Sequence, residues 1–143
     1  EKGYRFWGLD MNALTTPFEA GLGQFVKMGK KSFVGKEALV RVTGDKGQET
    51  AEGKGKRLEC LVVEGTDAIP HGWEPIFAGD TPISYVCSGE YGHSVNKPIV
   101  LAYLPREYAA VGTALRIKLF GEFFPATVVK TPLYDETNSK LKG

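Results

Sequence analysis

The sequence predicts a mainly β protein: a small antiparallel barrel or sandwich, preceded by a short strand-and-helix segment. Three observations carry this. From Arg57 onward, short apolar-rich runs replace helical spacing, several of them alternating at every second position. Glycine and proline turns separate those runs at short intervals. Ahead of them, one stretch carries a helical period instead.

Residues 1–30 are punctuated by Gly3, Gly8, Pro17, Gly21, Gly23 and Gly29, with short apolar patches between them. They read as an extended or irregular aromatic segment followed by a short strand in "AGLGQFVKM". In "SFVGKEALVRV", Phe33, Ala38, Leu39 and Val42 fall near helical spacing while Lys36, Glu37 and Arg41 take the other side. This predicts an amphipathic helix over 35–43, stopped by Gly44. "GDKGQETAEGKGK", 44–56, is polar and Gly-rich and predicts a flexible loop. The domain reading is therefore 1–43, a loop over 44–56, and a β domain over 57–143.

The strands follow. "RLECLVVEG" is apolar at Leu58, Cys60 and Val62, and "TPISYVCSG" sets Ile83, Tyr85 and Cys87 on one face. "KPIVLAYL" is apolar almost throughout, the mark of a strand covered on both faces. "TALRIKLF" alternates most cleanly, with Leu115, Ile117 and Leu119 inward and Arg116 and Lys118 outward. "EFFPATVVK" completes the set, and Pro125 predicts an edge or a bulge there. A hairpin turn is expected near Gly121 and Glu122, and "SGEYGHS" is expected to be a loop between two strands.

Composition excludes several function classes. With 18 basic and 17 acidic residues the net charge is +1, which gives no electrostatic case for a nucleic-acid or membrane partner. No apolar stretch approaches the roughly 20 residues of a membrane helix, and no secretory signal is present. The expected compartment is the cytoplasm, or the mitochondrial matrix in a eukaryote. The two cysteines, Cys60 and Cys87, lie inside strand-like runs and read as small buried apolar residues, while two histidines, His71 and His93, are too few for a metal cluster. No phosphate-binding or nucleophile motif occurs, so no catalytic and no metal-binding residue is assigned.

"TTPFEAGLGQFVKMGKKSFVGKEAL" followed by "SGEYGHSVNKPIVLAYLP" resembles the glycine-cleavage T-protein (aminomethyltransferase) superfamily, in its folate-binding region and terminal barrel. The motifs keep the family's order over nearly the whole chain, with one departure: Val100 stands where the family has a small Ala. The opening "EKGYRFWGLDM" resembles the dimethylglycine and sarcosine dehydrogenase branch. The resemblance implies a barrel for the β domain and tetrahydrofolate as cofactor in the intact protein. It also implies FAD on an upstream domain, and the upstream folate-binding and FAD domains of the same polypeptide as partners. A chain beginning at Glu1 would then be a C-terminal piece that shapes the folate pocket, with the one-carbon unit captured as 5,10-methylenetetrahydrofolate in the whole protein. Two other readings stay open: part of a T-protein aminomethyltransferase working with a lipoyl carrier, and a non-catalytic binding module.

The resemblance implies cofactor-binding roles for four residues. Glu1 matches the family's Glu near the pterin, where a carboxylate can accept two N–H groups in a fork. Arg57 matches a basic residue that approaches the folate. Glu19 in "TPFEAGL" is either a second pterin contact or a carboxylate holding the N–H groups of its own turn. Tyr4, Phe6 and Trp7 read as core or interface packing, with Trp7 the candidate for stacking on the ligand. Tyr91 and His93 are candidates for the domain interface.

Overall fold

A computed structural model of the chain describes residues 1–43 and 55–142. Six antiparallel strands close into a barrel: β1 (Lys56–Val63), β2 (Pro75–Ala78), β3 (Thr81–Gly92), β4 (Lys97–Pro105), β5 (Ala114–Leu119) and β6 (Glu122–Val129). Around the barrel the order is β1-β4-β3-β2-β5-β6, with β6 returning to pair with β1. Closure pairs the two strands that would otherwise end the sheet. The interior holds Leu61, Val63, Ile76, Val86, Val100, Ala102, Leu104, Leu115, Ile117, Leu119, Ala126 and Val128. Leu115, Ile117 and Leu119 point inward as their alternation predicts.

On β1 the interior is served by Leu61 and Val63. Leu58, Cys60 and Val62, which opposite parity puts on the outer face, are buried too. The barrel wall is thus apolar on both sides here, because another part of the chain lies over it. On β3 the expected face breaks up. Ile76 pairs with Ser84 but Phe77 with Pro82, and Val86 pairs with Ala102 but Ser88 with Leu101. Ile83 and Cys87 are the extra residues, and each resets the alternation. Ile83 and Val86, three apart, both reach the core, while Tyr85 is half exposed.

Other expectations are corrected. β2, "PIFA", was not anticipated, being four residues between turn signals. β3 runs on to Gly92, so Ser88–Gly92 is strand and only 93–96 is turn. Pro125 is neither on an edge nor at a bulge: it opposes Arg116 in regular register, and its carbonyl accepts the Glu64 N–H at 2.9 Å. The β5–β6 turn is Phe120–Gly121, one residue early; both have positive φ (49° and 93°), the primed geometry that matches strand twist. "AGLGQFVKM" forms no strand. Its backbone bonds are local, Phe25 N–H to Leu22 O at 3.0 Å and Val26 N–H to Gly23 O at 3.0 Å, around a 3-10 turn at Gly23–Phe25.

Helix α1 (Lys36–Thr43) forms where helical spacing predicts it, with Ala38 and Val42 left exposed. The expected loop over 44–56 lies outside the described residues except for Gly55 and Lys56, and Lys56 already opens β1. Among the described residues no helix is long and apolar enough to cross a membrane, and no group of three or more potential metal ligands is found.

Candidate functional site

The segment before α1 lies over the outer face of β1, β3 and β4 and is fastened there by polar bonds. Asp10 is its anchor. Its side chain is 2% exposed, and Oδ2 accepts the Phe6 N–H at 2.8 Å, closing the 6–10 turn. Oδ1 accepts the Ser88 hydroxyl at 2.5 Å, and the Asp10 carbonyl accepts the Tyr103 hydroxyl at 2.7 Å. One residue thereby joins the segment to β3 and β4. Next to Ser88, Gly89 has its backbone so close to the Pro70 carbonyl that a Cβ would sit 2.0 Å from that oxygen. The Ser-Gly pair of the sequence motif is thus a hydroxyl for Asp10 and a gap for Pro70.

Further along, Thr16 and Glu19 form a reciprocal cap. Glu19 Oε2 accepts the Thr16 N–H at 2.8 Å, and the Thr16 hydroxyl accepts the Glu19 N–H at 3.1 Å. The Glu19 carbonyl accepts the Leu58 N–H at 2.8 Å, and Arg5 Nε donates to the Ala20 carbonyl at 3.0 Å. At the other end, the Leu133 N–H donates to the Glu1 carbonyl at 2.9 Å. Lys2 Nζ reaches the Asn138 Oδ1 at 2.6 Å and the Asp135 carboxylate at 3.1 Å.

Two clefts flank residues 2–4. One, about 400 Å³, is lined by Glu1, Phe6, Asp10, Cys60, Ser88 and Tyr91 among others. The other, about 600 Å³, is lined by Arg5, Gln24, Arg57, Glu59, Pro132 and Asn138 among others. Lys2, Gly3, Tyr4 and Thr131 line both, so the clefts adjoin. Burial pushes the Cys60 thiol up to about 11, so it presents a neutral surface.

Glu1 and Arg57 therefore stand in neighbouring clefts. Glu1 Oε1 accepts the Ser94 N–H at 2.5 Å and the Val95 N–H at 3.3 Å, and the Ser94 bond above all lowers its carboxyl below the ordinary value. Arg57 is half exposed, with Nε 3.4 Å from Glu59 Oε1. Burial raises the Glu59 carboxyl, against the pull of Arg57 and Arg5. Glu19 and Trp7 line neither cleft. The Glu19 carboxylate holds its own turn, one of the two roles expected of it. Tyr4, Phe6 and Trp7 are 76%, 64% and 65% exposed and pack into no core among the described residues. Tyr91 and His93 meet edge to face at 5.2 Å beside the first cleft. Asp10 was not singled out in the sequence; its signal is a lone carboxylate between Leu9 and Met11, in the most aromatic stretch of the chain.

Residues 56–135 match the glycine cleavage T-protein C-terminal barrel domain. Human mitochondrial dimethylglycine dehydrogenase is 37% identical over 145 residues, covering 99% of this chain and 16% of its own length. The aminomethyltransferase of Synechococcus sp. (strain CC9311) is 38% identical over 135 residues, covering 94% of this chain and 34% of its own. The crystal structure of the glycine cleavage system aminomethyltransferase T from Bartonella henselae superposes with a TM-score of 0.79 at 24% identity, over 94% of this chain and 36% of that one, a likeness of fold. The chain thus spans only 16% to 34% of these two curated relatives. With a barrel match covering more than half of its residues, the chain belongs to the glycine cleavage T-protein C-terminal barrel family.

Proposed function

We propose that this chain is the C-terminal part of a folate-dependent flavoenzyme of the dimethylglycine or sarcosine dehydrogenase type, and that it forms one side of a tetrahydrofolate pocket. The observation that carries this is the pair of adjoining clefts, with Glu1 in one and Arg57 in the other. Both residues fit such a ligand. Glu1 presents a carboxylate held by the Ser94 and Val95 N–H groups, and the half-exposed Arg57 guanidinium can pair with a carboxylate. Bound tetrahydrofolate would supply the nitrogens that take up a one-carbon unit. This chain's part is to bind, orient and exclude water. The exposed Tyr4, Phe6 and Trp7 then face upstream folate-binding and FAD domains of the same polypeptide, with Trp7 offered to the ligand and Glu19 shaping the wall behind it. The compartment is the mitochondrial matrix in a eukaryote, a reading supported by the word "mitochondrial" in the names of the mammalian relatives, and the cytoplasm otherwise.

A second reading, part of an aminomethyltransferase, is supported by the comparable identity of those relatives. The dehydrogenase reading is preferred because the opening "EKGYRFWGLDM" resembles that branch. The test uses the full-length protein. Arg57→Ala should weaken tetrahydrofolate binding by about tenfold in calorimetry, one charge-assisted contact, while amine-driven flavin reduction continues. Unchanged affinity would remove Arg57 from the pocket, and a full-length protein without flavin absorbance would favour the second reading.

A further inference from the structure

A third cavity, about 380 Å³, shares no lining residue with the two clefts. Its walls are aromatic: Trp73, Tyr85 and Tyr103, over a floor that includes Ile83 and Val86. Trp73 and Tyr85 are stacked, ring centres 4.9 Å apart and 23° between planes. The outer indole surface is open, Trp73 being 77% exposed. Trp73 is held in place by its backbone. Its φ is 72°, a region a bulky residue rarely takes, and its N–H donates to the Val86 carbonyl at 2.8 Å. The Glu74 carboxylate ties the preceding turn by accepting the His71 and Gly72 N–H groups at 2.9 and 2.8 Å. Tyr103 is fixed from behind by its bond to the Asp10 carbonyl.

The electrostatics are one-sided. Among the described residues Lys56 is the sole charged one in the lining. Its ammonium lies 4.9 Å from the centre of the Tyr103 ring, and no carboxylate pairs with it among the described residues. A preformed aromatic shelf selects a flat π-system, and a single unpaired cation beside it selects a negative charge on that system. The volume suits one or two fused rings.

We propose that the Trp73–Tyr85 cavity binds a planar aromatic anion, at a site separate from the Glu1 and Arg57 clefts. The ring stacks on Trp73 and the anionic group pairs with Lys56. The side-chain amide N–H groups of Asn12, which also lines the cavity, offer a secondary contact.

The test is a titration of the protein with 2-naphthoate and, in parallel, its uncharged amide, 2-naphthamide. Trp7→Phe leaves Trp73 as the single tryptophan, and its indole N–H is followed by NMR. Naphthoate should shift that resonance saturably, with Kd of about 0.1–1 mM for a ligand of this size. Lys56→Gln should weaken naphthoate by about fivefold while leaving naphthamide unchanged. Tyr85→Leu, which keeps an apolar wall but removes the lower ring, should weaken both. Unperturbed methyl resonances of the barrel interior confirm that each variant is folded. The proposal is overturned by a shift that fails to saturate below about 10 mM, by equal loss of acid and amide in Lys56→Gln, or by unaltered binding in Tyr85→Leu. It is equally overturned if Arg57→Gln abolishes the Trp73 shift, since the ligand would then occupy the neighbouring clefts.

Discussion

The barrel and the segment of residues 1–35 bury opposite kinds of residue. In the barrel the interior is aliphatic throughout, and twelve residues form one continuous cluster. In the segment seven large apolar side chains face outward, Tyr4, Phe6, Trp7, Leu9, Leu14, Phe25 and Val34, while the deeply buried residues are Asp10 and the small Ala20. The barrel is held by the hydrophobic effect, which is roughly proportional to area and indifferent to direction. The segment is held by a few directed bonds, from Asp10, Glu19, Arg5 and Lys2, each of which fixes an orientation. An apolar surface of that extent on a polar fastening is suited to being covered by something else.

The largest effect that tests this contrast is at Ile117, fully buried at the barrel centre. Ile117→Ala should cost about 2–5 kcal/mol in urea denaturation. A loss under about 0.5 kcal/mol would mean that the interior is organised otherwise. Asp10→Ala comes next. It leaves the Phe6 N–H and the Ser88 hydroxyl without their acceptor, at about 1–3 kcal/mol. Hydrogen exchange should accelerate over residues 5–12 while β5 and β6 keep their protection. Equal loss in both would show that segment and barrel unfold as one unit, and the contrast would fail.

The third test is pH. Burial raises the Glu59 carboxyl, so the folded protein holds that proton more tightly than the unfolded chain does. The contribution is complete below the unfolded value of about 4.3 and is lost as pH rises through the folded value. Thermal midpoints should therefore fall across that window as pH increases, and Glu59→Gln should flatten the fall. A slope unchanged in the variant would assign the pH dependence elsewhere. The smallest effect is expected at Lys97, whose ammonium meets Glu64 at 2.8 Å with both side chains about half exposed. Lys97→Ala should change stability by no more than about 1 kcal/mol, and a larger loss would show that surface charge carries weight in the barrel too.

Much of the fold was legible because one force, burial on a pleated surface, writes itself into sequence as alternation. Leu115, Ile117 and Leu119 show this, and helix α1 keeps its helical period although Ala38 and Val42 are exposed. β3 was misread in phase because bulges at Ile83 and Cys87 depend on the neighbouring strands, which local sequence does not name. "AGLGQFVKM" forms no strand because a strand needs a partner, and among the described residues none is present there. The candidate site was less legible. Glu1 and Arg57 were named by resemblance, and their neighbouring clefts depend on the tail at Thr131–Asn138, more than seventy positions from Arg57. Asp10 went unnoticed because a buried carboxylate is recognised by its partners, and the Ser88 hydroxyl that donates to it lies in a distant strand.

The tie between Lys2 and residues 135 and 138 carries a consequence for biosynthesis. The two sides of that contact are separated by 133 and 136 positions, so it closes a loop around the whole barrel. On the ribosome the segment emerges before the barrel, yet its fastenings to Ser88, Tyr103, Leu133 and Asp135 are all translated later. The clefts beside Lys2 are completed only after the strands, when the residues 131–138 that wall them leave the exit tunnel, so a chain stalled before them can carry a finished barrel and still lack a finished site.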